Sequence, residues 1–168
     1  MINADLEQLA FTGNFGPFDS NSTRAQIEQL LGAPDADGYP DLATYGHFSF
    51  DLAGGTGPPC RIQIAFPHSS HMTPANPDWA EWTTPTCFDD WPDKRINWKL
   101  GRFTPGLSFG VAIESFDDFN ESEMLSCTNG LRILHNSKSH VDLMFERDSN
   151  TGDVTLARMA AHPKPIAG

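Results

Sequence analysis

Basic side chains are scarce in this sequence of 168 residues. Eleven lysines and arginines stand against 22 aspartates and glutamates, a formal net charge of −11. A chain this acidic is repelled by phosphate backbones and anionic lipid, so neither nucleic acid nor a membrane surface is expected as its partner. The same charge draws it toward a basic protein. Cysteine is scarce too: Cys60, Cys87 and Cys127 are odd in number and far apart. That pattern suits the reduced thiols of a cytoplasm better than a disulfide framework. No stretch approaches the roughly 18 uninterrupted apolar residues of a membrane span. Met1 to Glu7 carries acids where a signal peptide would need positive charge, so a cytoplasmic setting is expected.

What is present suits one folded domain, with 39% hydrophobic and 20% charged residues. Residues 3–10 predict a short helix with Leu6 and Leu9 on one side. Gly13 to Phe18 reads as a short edge strand or extended lead-in. Thr23 and Gln26 have capping-box spacing, followed by Ile27, Leu30 and Leu31 on one helical stripe. Gly32 and Pro34 then end that helix. His47 to Leu52 alternates, with Phe48, Phe50 and Leu52 on one face, and Arg61 to Phe66 alternates again. The Gly54-Gly55-Thr56-Gly57 loop between them makes an antiparallel hairpin with one polar face.

Residues 67–100 hold all four tryptophans and no long periodicity, and read as an ordered connection with one helical turn near 78–82. From 101 the first part is echoed. Gly101-Arg102-Phe103-Thr104-Pro105 repeats the G-x-F-x-P of Gly13 to Pro17. Ser108 caps a helix with Phe109, Ala112, Ile113 and Phe116 on its stripe. Leu131 to His135 and His140 to Phe145 predict strands, and 148–153 a turn before the strand 154–157. The expected architecture is therefore α+β, a tandem repeat of a helix packed on an antiparallel sheet. Its two sheets would join into one, with helices on one face. The first unit covers 1–66, the connection 67–100, the second unit 101–160 and a tail 161–168.

Catalytic signatures are missing. His68 and His71 are three apart, with Cys60 and Cys87 the nearest thiols. No paired short spacing of the C-x-x-C kind occurs, so they read as a polar loop and no metal is expected. Ser22 and Ser108 suit helix capping better than nucleophilic attack. The glycine loop lacks the Lys-Ser/Thr of a phosphate cradle. The adjacent acids Asp89-Asp90 and Asp117-Asp118 point apart and suit solvated surface. No cofactor and no enzymatic activity are expected.

What remains is a surface. Tyr45, His47, Ser49 and Asp51 with Arg61 and Gln63 are expected on the outward face of the first unit. His140, Asp142 and Met144 are expected there on the second. Trp79, Trp82, Asp89, Asp90 and Trp91 would form a rim. Aromatic residues and methionine are enriched at protein interfaces, so this face is the candidate partner-binding surface.

One stretch carries a family likeness: Gly13-x-Phe15-Gly16-Pro17, Ser22-Thr23-Arg24, Leu30-Leu31-Gly32-Ala33-Pro34-Asp35 and Tyr45-Gly46-x-Phe48-x-Phe50. It resembles small bacterial proteins that include immunity proteins of interbacterial toxin systems. The helix-to-LLGxP part is also similar to the repeat unit of β-lactamase inhibitory proteins and of small outer-membrane-assembly lipoproteins. The resemblance implies a helical layer on an antiparallel sheet, and a protein that neutralises a cognate toxin or effector by blocking its active site; the acidic charge makes a basic partner the expected one. Two other readings stand beside it: a small enzyme or ligand-binding domain with a pocket near His47, His68 and His71, and a housekeeping adaptor.

Overall fold

A computed structural model of the chain describes residues 2–18, 21–35, 41–56, 59–69, 91–122 and 131–162. They form a mixed α+β fold. The chain opens with strand β1 (Ile2–Asp5), and helix α1 follows directly (Leu6–Thr12). The expected helix over 3–10 therefore starts three residues later, because the Asp5 carboxylate accepts from the Glu7 and Gln8 amides and caps it there. Residues 13–18 make a tight turn closed by a single Phe15–Phe18 bridge, not a strand.

Helix α2 (Arg24–Leu31) carries the expected capping box. Thr23 accepts from the Gln26 amide, and the Gln26 side chain accepts from the Thr23 amide at 2.8 Å. Ile27 and Leu31 are buried, whereas Leu30 is half exposed, so the buried stripe is narrower than the sequence suggests. Next come β2 (Leu42–Tyr45), β3 (Phe48–Leu52), a 3-10 turn (Ala53–Gly55) and β4 (Pro59–Ala65). Strand β5 (Ile96–Lys99) lies within the stretch read as a connection and pairs in parallel with β1. The expected helical turn at 78–82 lies outside the described residues. Helix α3 (Phe109–Ser115) begins where expected, with the Ser108 hydroxyl accepting from the Val111 amide. Ala112 and Phe116 are buried, and Ile113 is exposed. Then follow β6 (Asn120–Glu121), β7 (Arg132–Asn136), β8 (Val141–Arg147) and β9 (Val154–Ala161).

Strands β2 to β4 and β6 to β9 form one seven-stranded antiparallel sheet in the order β2-β3-β4-β9-β8-β7-β6. Its two runs of neighbouring strands meet where β4 pairs with β9, Gln63 opposite Ala160 and Ile64 opposite Met159. Inward residues Tyr45, Phe48, Phe50, Ile62, Ile64, Leu143, Phe145 and Met159 share one buried cluster with Leu6, Leu9, Ile27, Leu31 and Ala112 of the helices. Burying one such side chain contributes about 1.5–3 kcal/mol, so this layer is the main source of stability.

A clasp on Asp35 ties the end of α2 to the chain before β5. Arg95 pairs with both Asp35 and Asp93 and lies over the Tyr45 ring, 5.2 Å from its centroid. The Gly46 amide donates to Asp35 at 2.7 Å. Burial alone would push the Asp35 carboxyl up, but Arg95 and the Gly46 amide outweigh it and hold it below its ordinary 3.8. Glu7 is lowered by Arg102, and Glu121 by Arg132. A carboxyl depressed in the folded state contributes stability above its unfolded pKa and loses it as pH falls through the folded value. The urea midpoint is therefore expected to drop steeply below about pH 4. Asp35→Asn should flatten part of that acid limb. An unchanged limb in the variant would show that the clasp contributes nothing there.

Candidate functional site

Sheet register decides which side chains face outward. At one level it places Thr44, Ser49, Gln63, Ala160, Asp142 and His135 side by side from β2 to β7. One step along, Ala65, Arg158, Met144 and Ile133 form the next row. Ser49, Asp51, Arg61, Gln63, Asp142 and Met144 thus all lie on the outward face, each half-buried.

Their hydrogen bonds run as a chain across the face. Arg61 pairs with Asp51 at 2.7 Å, and Gln63 Nε2 donates to the same carboxylate at 3.3 Å. The Gln63 amide oxygen is thereby left to accept from Arg158 Nη1 at 3.2 Å. On the other side Asp142 accepts from His135 Nδ1 at 2.6 Å, and His162 Nε2 lies 3.7 Å from its second oxygen.

Three expected positions are corrected. Tyr45 points inward: it is fully buried, stacks on Phe48 and donates its hydroxyl to the Gly32 carbonyl at 2.9 Å. Burial raises its pKa to about 12, with Glu28 adding to the effect. His47 is in the β2–β3 turn, not on a strand face. It is buried, with its amide donating to the Pro92 carbonyl and its own carbonyl accepting from Ala65. Trp91 is no exposed rim residue. Its indole donates to the Ala65 carbonyl at 2.7 Å, and its ring lies 5.1 Å from Phe66. Trp79, Trp82, Asp89 and Asp90 lie outside the described residues. His140 is at the β7–β8 turn with φ +57°, its ring 6.5 Å from that of His135.

The pocket expected near His47, His68 and His71 falls partly outside the described residues. His68 is buried and donates to the Glu146 carbonyl at 2.9 Å, and His71 lies outside the described residues. Among the described residues no group of three or more His, Cys, Asp and Glu side chains is arranged to hold a metal ion. No helix among them is long and apolar enough to cross a membrane. A separate open cleft of about 680 Å³ runs along β1 and β5, lined by Asn3, Asp5, Gln8, Asn97 and Lys99 among others. Its charges are internally matched, Lys99 standing 3.0 Å from Asp5.

No family model, curated protein or solved structure matches this chain. The outward face must therefore be read from its own chemistry.

Arg158, at the middle of that face, escaped the sequence reading. The strand was expected to stop at Ala157, whereas β9 runs to Ala161. Opposite β8 the partners jump from Arg158 to Leu156, so Ala157 is an extra, bulged residue. The bulge turns Leu156 inward and Arg158 outward although they are two apart. An arginine inside an otherwise apolar run was the available signal.

Proposed function

We propose that this chain is a protein-binding module of the immunity type, which neutralises a basic partner protein by covering it with the outward face of the seven-stranded sheet. The observation that carries this reading is the face itself. Seven antiparallel strands bring polar and sulfur-bearing side chains from residues 42 to 161 onto one surface, with the buried helical layer behind it. A broad face with short polar groups, a methionine and a linked arginine suits a protein surface better than a small molecule. The net charge of −11 raises the rate of encounter with a basic partner and makes it salt-dependent. The resemblance around Gly13 to Phe50 supports the immunity reading. The echo of the first part after residue 101 supports duplication of a helix-and-sheet unit as its origin, since α2 and α3 each precede a run of consecutive antiparallel strands.

Co-expression with the product of the adjacent gene tests the reading. A complex surviving gel filtration and relief of that product's toxicity are expected. Ser49→Arg, on the outward face, should weaken the complex about 100-fold, while Leu30→Arg on the exposed side of α2 should leave it unchanged. Absence of both complex and protection sinks the reading. Equal tolerance of the two substitutions moves the interface off the sheet.

A further inference from the structure

Five of the seven arginines in this chain are matched to acids. Arg24, Arg61, Arg95, Arg102 and Arg132 each pair with a carboxylate. Arg147 is exposed and donates to the Gly152 carbonyl at 2.7 Å. Arg158 differs. It stands on β9, the fourth of the seven strands, half-buried on the outward face. Among the described residues its one hydrogen-bond partner is the neutral amide oxygen of Gln63. A guanidinium has five N–H donors in a rigid fork. Most of that fork is unused among the described residues.

Its surroundings keep the fork open. The residues directly opposite are Ala65 on β4 and Met144 on β8. One is too short to reach it and the other offers only a thioether. The nearest carboxylate in the linked chain, Asp51, already receives Arg61 and Gln63. Burial lowers the proton affinity of Arg158, with Glu146 and Asp51 opposing that from a distance and Arg61 adding to it. The cost of holding a half-buried cation is thus present before any partner arrives, and a bulge is built into β9 to aim it outward.

We propose that Arg158 is the anchor of the docking face, gripping one Asp or Glu carboxylate of the partner protein through two parallel hydrogen bonds. The anchor role rests on the outward face being the docking surface. Planar bidentate pairing with a carboxylate is the geometry a guanidinium fork matches, and arginine is enriched at binding hot spots for that reason. A phosphate fits poorly, because Asp51, Asp142 and Glu146 share the face and repel a dianion. The overall negative charge then governs approach of a basic partner. Arg158 selects the register, through the one acid on that partner's surface that must meet it.

Two arms test this. In the first, the full chain labelled with nitrogen-15 is titrated with acetate at constant ionic strength, and the arginine Nε–H and glutamine side-chain signals are followed. Saturable shifts at Arg158 and Gln63 are expected, with Arg61 and Arg95 unmoved and phosphate no stronger than acetate. Uniform shifts at all arginines, or none at Arg158, overturn the site. In the second, Arg158→Gln and Arg158→Lys are compared in the complex with the adjacent gene product, their folding checked by melting temperature. A loss of about 100-fold for glutamine and a smaller loss for lysine are expected. Wild-type affinity in Arg158→Gln overturns the anchor while leaving the docking reading intact. Acetate binding without any complex leaves a carboxylate site standing and overturns the docking role.

Discussion

Phe50→Ala is expected to destabilise the protein by about 3–5 kcal/mol, the range for emptying a large aromatic site in a packed core. Phe50 is fully buried on β3, in the thick of an aromatic cluster. Its ring centroid lies 5.1 Å from Phe18, 5.8 Å from Phe48, 6.1 Å from Phe15 and 6.2 Å from Tyr45. Truncation removes the transfer energy of the ring and leaves a void whose walls are rings held by their own packing. Relaxation into it is therefore limited. For a chain of this size the melting temperature should fall by about 6–20 °C. Phe50→Leu, which refills most of the volume, should lose less than half as much. A loss under about 1 kcal/mol for the alanine variant would show that the cluster collapses readily.

Gly46→Ala is the second large effect, and it separates two causes that usually come together. Gly46 sits first in the two-residue turn between β2 and β3 with φ +56°, a conformation that glycine supplies to tight hairpins. A Cβ there would stand 2.6 Å from Asp93 Oδ2 and 2.9 Å from the Pro92 carbonyl oxygen. Both groups are held, Asp93 by Arg95 and the Pro92 carbonyl by the His47 amide. Strain and overlap together should cost about 2–4 kcal/mol. Gly54→Ala is the comparison. Its φ is +62°, yet nothing lies within 4 Å of the new carbon, so conformational strain alone, about 1–2 kcal/mol, is expected. Equal losses in urea denaturation would mean that the Asp35–Arg95–Asp93 clasp gives way and that overlap contributes nothing.

These two sites also show what a sequence can and cannot reveal. Phe48, Phe50 and Leu52, and Val141, Leu143 and Phe145, alternate strictly, and each set lies inward as its period requires. Thr23 and Ser108 cap helices because their hydroxyls sit three residues before an amide in need of a partner. Strands β1 and β5 could not be seen in this way. INAD and INWK are four residues each, too short for a period, and they pair across more than ninety residues. The helix start at Leu6 was legible in the Asp5-x-x-Gln8 spacing, but the expected helix over 3–10 rested on Leu6 and Leu9, which do not fix where it begins. Tyr45 was placed outward by counting back from His47 through an alternation that in fact breaks at the Gly46–His47 turn. Arg158 was missed because the strand was expected to end at Ala157, the residue at which a bulge interrupts β9. Periodicity reads regular backbone, and the two residues it misplaced or missed, Tyr45 and Arg158, stand beside two places where the backbone is irregular.

The pairing of β4 with β9 has a consequence for how the molecule is made. A ribosome releases residues 59–65 long before 154–161, yet β9 is the strand that covers the open side of β4. Until then the backbone amides and carbonyls of residues 62–65, beside Ile62 and Ile64, form an uncovered edge able to recruit another chain. Nascent chains stalled or truncated before residue 154 should therefore aggregate. The central position of β9 makes synthesis of residues 154–161 the step that covers the edge left open by β2 to β4.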